Sequence, residues 1–365
     1  MIDVAEGHAQ ESQSGLALLR PRIWGALHRV PSRVAAIVMH PTSNFMGHYL
    51  LEPLAQRGVA ALGLNSRYMG SDVSLLLERT IQDLGAGVRW LREQGYEKVL
   101  LVGNSGGAAL VSLYQSQAEQ LDITATPAGD PIALHPSQLP PADGIVLSAA
   151  HLGRSRLMEA WIDPAVIDEH DPLSSDPALD MFNPDNGPPY SADFLQRYRA
   201  AQRARVARLE TWARAKLREL RSDRHGLQDM AFVVHRTLAD PRCLDASIDP
   251  NDRPPGTTVW GPPRVQNYAA NSMGRYTSLT AFLSQWAPCS RGDGPACLAR
   301  TRVPVLLAEH TADASTFPSN HEEWARAAAG RITRFQLHGG NHYLSGQPAL
   351  VQQLADRVAE FAHAL

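Results

Sequence analysis

Short apolar runs alternate along the chain with longer segments in which apolar residues recur every three or four positions. Continuous apolar runs of this length are typical of strands buried on both faces of a parallel sheet. They cover residues 33–39, 59–65, 98–102, 143–150 and 303–308, and a further strand is predicted over 332–337. Helical periodicity covers about 46–57, 74–94, 191–222 and 347–364. The alternation predicts an α/β fold, with a mostly parallel sheet and helices on both faces.

The beginning of the chain and its middle depart from this alternation. Residues 15–30 predict one or two edge strands interrupted at Pro21, because proline has no N–H to donate to a central strand pair. Residues 154–300 combine loops rich in Pro and Asp with many aromatic residues and one long basic helix. A long, aromatic-rich segment between two strands of a sheet predicts an insertion that covers a ligand site at the sheet edge.

The basic helix predicted over 191–222 carries nine Arg or Lys residues. Its apolar residues nevertheless recur at three- and four-residue steps: Val206, Leu209, Ala213, Leu217 and Leu220. This spacing predicts one buried stripe and a solvated basic face. We therefore expect no contact with nucleic acid or membrane, and a subunit contact, as in a homodimer, is the remaining alternative.

Composition and charge narrow the class of protein further. The 365 residues are 44% hydrophobic and 19% charged, an ordinary globular balance, and the net charge of −3 gives no basic excess for an acidic partner. A small-molecule partner is therefore expected. Residues 1–14 lack the positive and apolar regions of a signal peptide, so a cytoplasmic location is expected. Cys243, Cys289 and Cys297 are expected as free thiols, although the spacing of the last two also permits a small disulfide ring.

One stretch carries a recognisable chemical pattern. Gly103-Asn104-Ser105-Gly106-Gly107 follows a predicted strand and precedes a small-residue segment of helical character. A G-x-S-x-G sequence between strand and helix places the serine on a sharp turn, where its hydroxyl stands clear of the strand. The glycines at both ends remove side chains that would collide across the turn. The alternative is a glycine-rich connection with a solvated serine, but the flanking strand and helix favour a nucleophile.

A serine hydroxyl needs a base to take its proton, and the base needs an orienting acid. Asp313 lies in the loop after one late strand and His342 in the loop after the next, so the chain order is Ser105, Asp313, His342. Glu309 is an alternative acid because it is closer to the strand end. His338 is an alternative base, but it directly follows its strand, whereas His342 lies on a loop long enough to curl over the site.

The negative charge that forms during acyl transfer needs two fixed N–H donors. The residue after the nucleophile, Gly106, should provide one. The second should come from the loop after the strand over 33–39. Pro41 has no N–H, so Thr42 is expected, with Ser43 as the alternative. Because the sequence has neither a cluster with metal-ligand spacing nor a nucleotide-binding glycine motif, no metal and no organic cofactor are expected.

These segments together resemble the α/β-hydrolase superfamily of serine hydrolases. The segments that carry the resemblance are Gly103–Gly107, His40–Pro41, Thr311–Asp313 and Gly340–His342. The resemblance covers roughly residues 15–153 and 300–365 and implies a mainly helical cap inserted after the sixth strand. It therefore divides the chain into an N-terminal core part (1–153), a cap (154–300) and a C-terminal core part (301–365). Pro41 departs from the glycine that the family usually has after that histidine.

The resemblance implies a serine hydrolase that works through an acyl-enzyme. Ser105 would attack a carbonyl, His342 would move the proton, Asp313 would orient His342, and Gly106 with Thr42 would hold the oxyanion. The expected substrate is an ester, thioester or lactone of a small, largely apolar molecule. Open alternatives are a carbon–carbon bond hydrolase, a haloperoxidase-like enzyme or an acyltransferase with the same triad, and a non-catalytic ligand-binding protein of this fold.

Overall fold

The structure is a computed structural model, and it describes residues 1–4, 21–224 and 226–365. The strands are β1 (Ile2–Asp3), β2 (Arg22–Ile23), β3 (Gly25–His28), β4 (Val34–His40), β5 (Ala60–Asn65), β6 (Lys98–Asn104), β7 (Gly144–Ser148), β8 (Val166–Asp168), β9 (Asp171–Ser175), β10 (Ala231–Val233), β11 (Tyr276–Ser278), β12 (Val305–His310) and β13 (Ile332–Leu337). The helices are α1 (Leu51–Gln56), α2 (Leu77–Glu93), α3 (Gly107–Glu119), α4 (Arg154–Trp161), α5 (Ala192–Ser222), α6 (Pro263–Tyr268), α7 (Leu279–Gln285), α8 (Gly294–Leu298), α9 (Pro318–Ala327) and α10 (Pro348–His363).

Seven strands form one sheet in the order β13-β12-β7-β6-β4-β5-β3. Neighbours in this sheet are parallel except β3, which pairs with β5 in the antiparallel direction at one edge. Every residue of β5, β7 and β12 is buried. Their continuous apolar runs are therefore explained by burial on both faces, and the predicted mostly parallel α/β fold is confirmed.

Side chains of β4 alternate between two apolar clusters, one on each face of the sheet. Ala35, Ile37 and Met39 pack into the cluster that also contains residues of α2, α3 and α9. Val34, Ala36 and Val38 pack into the cluster that contains residues of α1 and α10. The helices thus cover both faces, and the carboxyl ends of the parallel strands remain as the edge at which a site can form.

The predicted edge strands appear as the short strands β2 and β3, which follow Pro21. The part of that prediction covering residues 15–20 lies outside the described residues. Helix α1 is shorter than the helix predicted over 46–57, because residues 46–50 form turns before it. All three cysteines are free thiols. In the described ranges, no helix combines the length and the apolar character needed to cross a membrane.

Residues 154–300 contain helices α4 to α8 and two small antiparallel sheets, β8–β9 and β10–β11. They have an apolar cluster of their own in which the predicted stripe of α5 packs against α7. The segment is also bonded to the core. The Gln285 amide donates to the carbonyls of Asp72 and Leu75, each at 2.9 Å, and the Ser284 hydroxyl donates to Glu78 at 2.7 Å.

The prediction of a fully solvated basic face on α5 is wrong at Arg205. This side chain is completely buried, where its guanidinium bonds the Glu169 carboxylate and the carbonyls of Asp163 and His235. A buried guanidinium is tolerated when its charge is paired and its N–H groups are bonded. Other basic residues of the helix also form ion pairs with acids: Arg197, Arg199, Arg214, Lys216 and Arg221.

Candidate active site

Ser105 occupies the sharp turn between β6 and α3. Its φ of 57° lies in the left-handed region, which is strained for a residue other than glycine. Its N–H donates to the carbonyl of Ser148 in the neighbouring strand at 3.0 Å. A Cβ added to Gly103 would lie 2.6 Å from the Cα of Ala108, and one added to Gly107 would collide with the carbonyl of Met39. The glycines are therefore required by the close approach of strand and helix at this turn.

The structure brings together the three residues that the sequence analysis singled out for nucleophile, base and acid. Ser105 Oγ lies 3.0 Å from His342 Nε2, and His342 Nδ1 lies 2.7 Å from Asp313 Oδ2. Both distances are within hydrogen-bonding range. The imidazole can therefore accept the Ser105 proton at Nε2 while Nδ1–H donates to the carboxylate.

Asp313 is completely buried in a pocket of donors. The N–H groups of Ser315 and Thr316 donate to Oδ1 at 2.7 and 3.1 Å, and the Thr316 hydroxyl donates to Oδ2 at 2.6 Å. Burial by itself raises the pKa of this carboxyl, but His342 and the Thr316 hydroxyl hold the pKa well below its usual range. Asp313 is therefore ionised and fixed in place beside the imidazole.

Glu309 and His338, the alternative acid and base, lie in surroundings that differ from those of Asp313 and His342. Glu309 forms an ion pair with Arg334 at 2.6 Å and accepts a hydrogen bond from the Gln336 amide at 3.3 Å. Both partners lie on β13, so this carboxylate joins β12 to the edge strand β13. His338 is exposed. Neither residue is hydrogen-bonded to Ser105 or His342 among the described contacts.

The loop after β4 lies against Gly106. An added Cβ on Gly106 would lie 2.8 Å from His40 Nε2. The Gly106 N–H, at the start of α3, has no hydrogen-bond acceptor within the described part of the chain, whereas the Thr42 N–H donates to His40 Nδ1 at 3.2 Å. Ser43 donates to the same nitrogen at 2.9 Å. The Thr42 N–H, which is expected to hold the oxyanion, therefore shares the His40 acceptor with Ser43, because the turn after Pro41 curls around the imidazole.

Several contacts fix this loop. The Ser66 hydroxyl donates to the Pro41 carbonyl, and the Gly70 N–H donates to the Thr42 carbonyl at 2.8 Å. The buried guanidinium of Arg154 donates to the Thr42 hydroxyl at 3.0 Å. Burial, with a further contribution from Arg154, lowers the pKa of His40 well below its usual value. His40 is therefore neutral near pH 7, and its Nδ1 is free to accept the two N–H groups.

Three residues of the site were not singled out from the sequence. His151 packs its ring 5.2 Å from that of His342, and the hydroxyl of Ser315 lies 3.1 Å from His342 Nδ1 and 3.3 Å from His151 Nε2. Burial lowers the pKa of His151 to about 3. His151 follows β7 after two alanines, and this position near the carboxyl end of a strand is the sequence signal that could have indicated a site residue. Arg154, the third, gave no local signal because its partners lie far away in the chain.

Aromatic side chains from the core and from residues 154–300 meet beside His342. The Tyr343 ring packs edge-on against His342 at 4.7 Å, and the Trp161 ring packs edge-on against His151 at 5.7 Å. Trp260 packs against Trp161 at 6.0 Å. A cavity of about 420 Å³ opens nearby, lined by His151, Ser315 and Trp161 together with arginines of α4 and α5. No group of three or more metal-binding side chains is present in the described ranges.

The strand order, the turn at Ser105 and the chain order of Ser105, Asp313 and His342 decide the fold. A mostly parallel sheet with one antiparallel edge strand carries a serine on a strand-to-helix turn, followed along the chain by an acid and a histidine after later strands. The chain has the α/β-hydrolase fold. In this fold the site lies at the carboxyl ends of the strands, where Ser105, Asp313 and His342 are found.

No family model matches this chain, and no curated protein sequence matches it. Among solved structures, it is similar to a monoacylglycerol lipase of Paleococcus ferrophilus, with 16% identity, coverage of 93% of this chain and 98% of that chain, and a TM-score of 0.47. It is similar to the esterase domain of a Rhodothermus marinus protein (13% identity, 94% and 92% covered, TM-score 0.46). It is also similar to a proline iminopeptidase of Mycobacterium smegmatis (14% identity, 94% and 94% covered, TM-score 0.44). The α/β-hydrolase fold is assigned from the strand order and the site geometry, independently of these likenesses.

Proposed function

We propose that the protein is a serine hydrolase that cleaves a carboxylic ester, thioester or lactone of a small, largely apolar molecule. The observation that carries this proposal is the continuous hydrogen-bonded series from Ser105 Oγ through His342 to a buried, ionised Asp313. A solvated serine in a glycine-rich connection would need neither a strained φ nor an imidazole at hydrogen-bonding distance from its hydroxyl. The strain and the alignment together favour a nucleophile.

In the proposed reaction, Ser105 Oγ attacks the substrate carbonyl carbon while its proton passes to His342 Nε2. The resulting imidazolium is stabilised by Asp313 and returns the proton to the leaving oxygen or sulfur as the carbonyl re-forms. Water then attacks the acyl-enzyme, with His342 again accepting the proton, and the acid is released. Apart from the substrate and the attacking water, every group in these steps is supplied by Ser105, His342 and Asp313.

The oxyanion would be held by the N–H groups of Gly106 and Thr42. Gly106 N–H is at the start of α3, where the helix dipole also favours negative charge. Thr42 N–H can turn from His40 to the oxyanion without leaving the imidazole unbonded, because Ser43 N–H donates to the same nitrogen at the shorter distance of 2.9 Å. Hydrogen bonds of this kind commonly tighten only when substrate is bound.

Residues 154–300 are proposed to act as a cap that helps form the substrate pocket. Trp161 and Trp260 of this segment pack toward His151, whose ring contacts the proposed base. Aromatic faces favour apolar or ring-containing acyl groups. An ester or thioester is favoured over an amide because its leaving group departs more easily.

A serine-reactive fluorophosphonate provides the test. It should label wild-type protein at Ser105, and Ser105→Ala should abolish labelling and lower ester turnover by about 10⁴-fold or more. Ser116→Ala is the matched control, because it removes a buried hydroxyl on α3 whose partners, the Leu113 carbonyl and the Cys297 thiol, do not belong to the candidate site. Peptide mapping that placed the label on another serine, or wild-type protein without labelling and without esterase turnover, would contradict the proposal.

A further inference from the structure

His310, the last residue of β12, is completely buried and uses both ring nitrogens. Nδ1 lies 2.9 Å from the carbonyl oxygen of Asn341, and Nε2 lies 2.9 Å from the hydroxyl of Ser148. A carbonyl oxygen can only accept, so the proton of the neutral ring must be on Nδ1. Nε2 therefore accepts the hydrogen bond from Ser148.

Each of these contacts leads directly to the triad. The carbonyl of Ser148 accepts the N–H of Ser105 at 3.0 Å, and Asn341 immediately precedes His342. Because Ser105 Oγ and His342 Nε2 are themselves 3.0 Å apart, the contacts form a closed circuit. Ser148 on β7 and His310 on β12 are the members of that circuit that belong to neither the nucleophile turn nor the base loop, and His310 joins the two halves.

Another contact holds the base loop but does not reach the nucleophile. The N–H of Ala312 donates to the carbonyl of Gly340 at 3.0 Å, which joins the acid loop to the base loop. It makes no connection to β7. Within the described part of the chain, no side chain other than His310 is hydrogen-bonded to both Ser148 and Asn341.

We propose that His310 is a positioning residue, which sets the separation between Ser105 Oγ and His342 Nε2 by holding Ser148 and Asn341 at a fixed distance. This inference rests on the proposed function, because it assigns His342 as the base for Ser105. Displacing a catalytic group by about 1 Å can cost about 10²-fold in rate. A bridge that fixes this separation therefore affects turnover more than substrate binding.

Burial keeps the bridge in one protonation state. It lowers the pKa of His310 to about 4, so the ring is neutral across the pH range in which a histidine base works. The tautomer is fixed by the Asn341 carbonyl. The bridge thus needs one nitrogen that donates and one that accepts, which a protonated ring cannot offer.

Two single variants break the same hydrogen bond from opposite ends. In His310→Asn, the side-chain amide can still donate to Asn341 but cannot reach Ser148. Ser148→Ala removes the hydroxyl and leaves the main-chain carbonyl that accepts the Ser105 N–H. Each should lower kcat by about 10- to 100-fold with KM changed by no more than about twofold. The double variant should lose no more than the worse single variant, because both remove one shared contact.

His310→Gln tests the other half of the bridge. Its longer amide can still meet Ser148, but the donor to Asn341 is lost, so kcat should fall at least as far as in His310→Asn. Ser116→Ala, which removes a buried hydroxyl outside the circuit, should leave kcat unchanged. Values of kcat are divided by the concentration of sites titrated with fluorophosphonate, so a partly unfolded preparation does not imitate a slow enzyme. Ser148→Ala is the smallest change and remains informative if the His310 variants fail to fold.

The outcomes separate the two proposals. Wild-type labelling at Ser105 with the expected losses and a non-additive double variant supports the positioning role. Wild-type labelling with unchanged kcat per titrated site, or losses that multiply in the double variant, overturns the positioning role and leaves the proposed function intact. Wild-type protein that neither turns over esters nor labels at Ser105 overturns the proposed function, and the positioning role with it.

Discussion

Asp313 Oδ2 lies 2.7 Å from His342 Nδ1 in a contact that is almost completely shielded from solvent. Asp313→Asn keeps the shape of the side chain but removes its charge and places an amide where the imidazole N–H must donate. We expect kcat to fall by about 10³- to 10⁴-fold with little change in KM. Steady-state kinetics on a chromogenic ester measure both constants.

Glu309→Gln is the matched control for that variant. It also removes one carboxylate charge near the end of β12, but this charge is paired with Arg334. We expect a small effect on kcat and a modest loss of stability, since the pair is partly exposed. If Glu309→Gln proved the more damaging of the two changes, the acid of the triad would be misassigned.

A second prediction concerns the acyl group. Trp260 is about 40% exposed and packs against Trp161, which lines the cavity together with His151. For p-nitrophenyl esters from acetate to long-chain and aromatic acyl groups, kcat/KM should rise, with up to about 1 kcal/mol for each methylene that fills the pocket. A flat series would mean that residues 154–300 do not line the acyl pocket.

Trp260→Ala shows whether that rise depends on the tryptophan. It should lower kcat/KM for aromatic and long-chain esters while leaving acetate nearly unchanged, because acetate is too short to reach the indole. Trp24→Ala is a suitable control, since Trp24 is similarly exposed, at 54%, but belongs to the segment between β2 and β3 at the sheet edge. Equal losses on all esters would assign Trp260 a structural role instead.

A third prediction concerns the glycines of the nucleophile turn. Gly107→Ala introduces a Cβ that collides with the Met39 carbonyl, a backbone atom that cannot move aside. The turn must shift, so we expect both a lower unfolding temperature and a kcat reduced by at least about tenfold. Gly47→Ala meets no atom within 4 Å and should change neither quantity appreciably. Thermal unfolding followed by circular dichroism, together with ester turnover, distinguishes the two.

A fourth prediction is the pH dependence of stability. Burial lowers the pKa of His48 to about 4, of His151 to about 3 and of His310 to about 4, and that of His40 well below its usual value. In the unfolded chain each titrates near pH 6.5. Between about pH 6.5 and pH 4 the unfolded chain therefore binds more protons than the folded protein, so the free energy of unfolding falls as the pH falls.

The size of this effect can be measured directly. At pH 5, unfolding should take up about four protons from these histidines, and the unfolding temperature should decrease steadily from pH 7 to pH 4. Asp313 acts in the same direction at lower pH: its lowered pKa stabilises the folded protein above the unfolded value near 3.9, and that contribution is lost as the pH falls below this value. An unfolding temperature independent of pH between 7 and 4 would contradict the neutral, buried histidines.

The sequence predicted those features that depend on short stretches of chain. Apolar runs located the buried strands, and the glycines around Ser105 located the turn, because both patterns are set by neighbours a few residues apart. Asp313 and His342 could be proposed because each follows a predicted strand of a parallel sheet. The same reasoning does not reach contacts between distant residues. The hydroxyl of Ser148 and the ring of His310 are 162 positions apart, and Arg205 is buried only because Glu169 and two carbonyls surround it.

Thr42 shows a second limit of prediction from the sequence. The proline before it correctly excluded one donor, since it has no N–H. The turn that follows, however, curls around the His40 side chain, and such side-chain acceptors compete with any other use of a backbone N–H. Sequence spacing gives the residue but not the direction in which its N–H points.

The attachment of α7 to the segment around Asp72 and Glu78 has a kinetic consequence. To move residues 154–300 away as one rigid body, the protein would have to break the buried hydrogen bonds of Gln285 and the buried hydrogen bond from Ser284 to Glu78. Each buried bond left unmade costs about 1–3 kcal/mol. Access to Ser105 therefore has to come from movements of single side chains. The rate on a short ester should then follow simple saturation, without interfacial activation when the ester concentration exceeds its solubility.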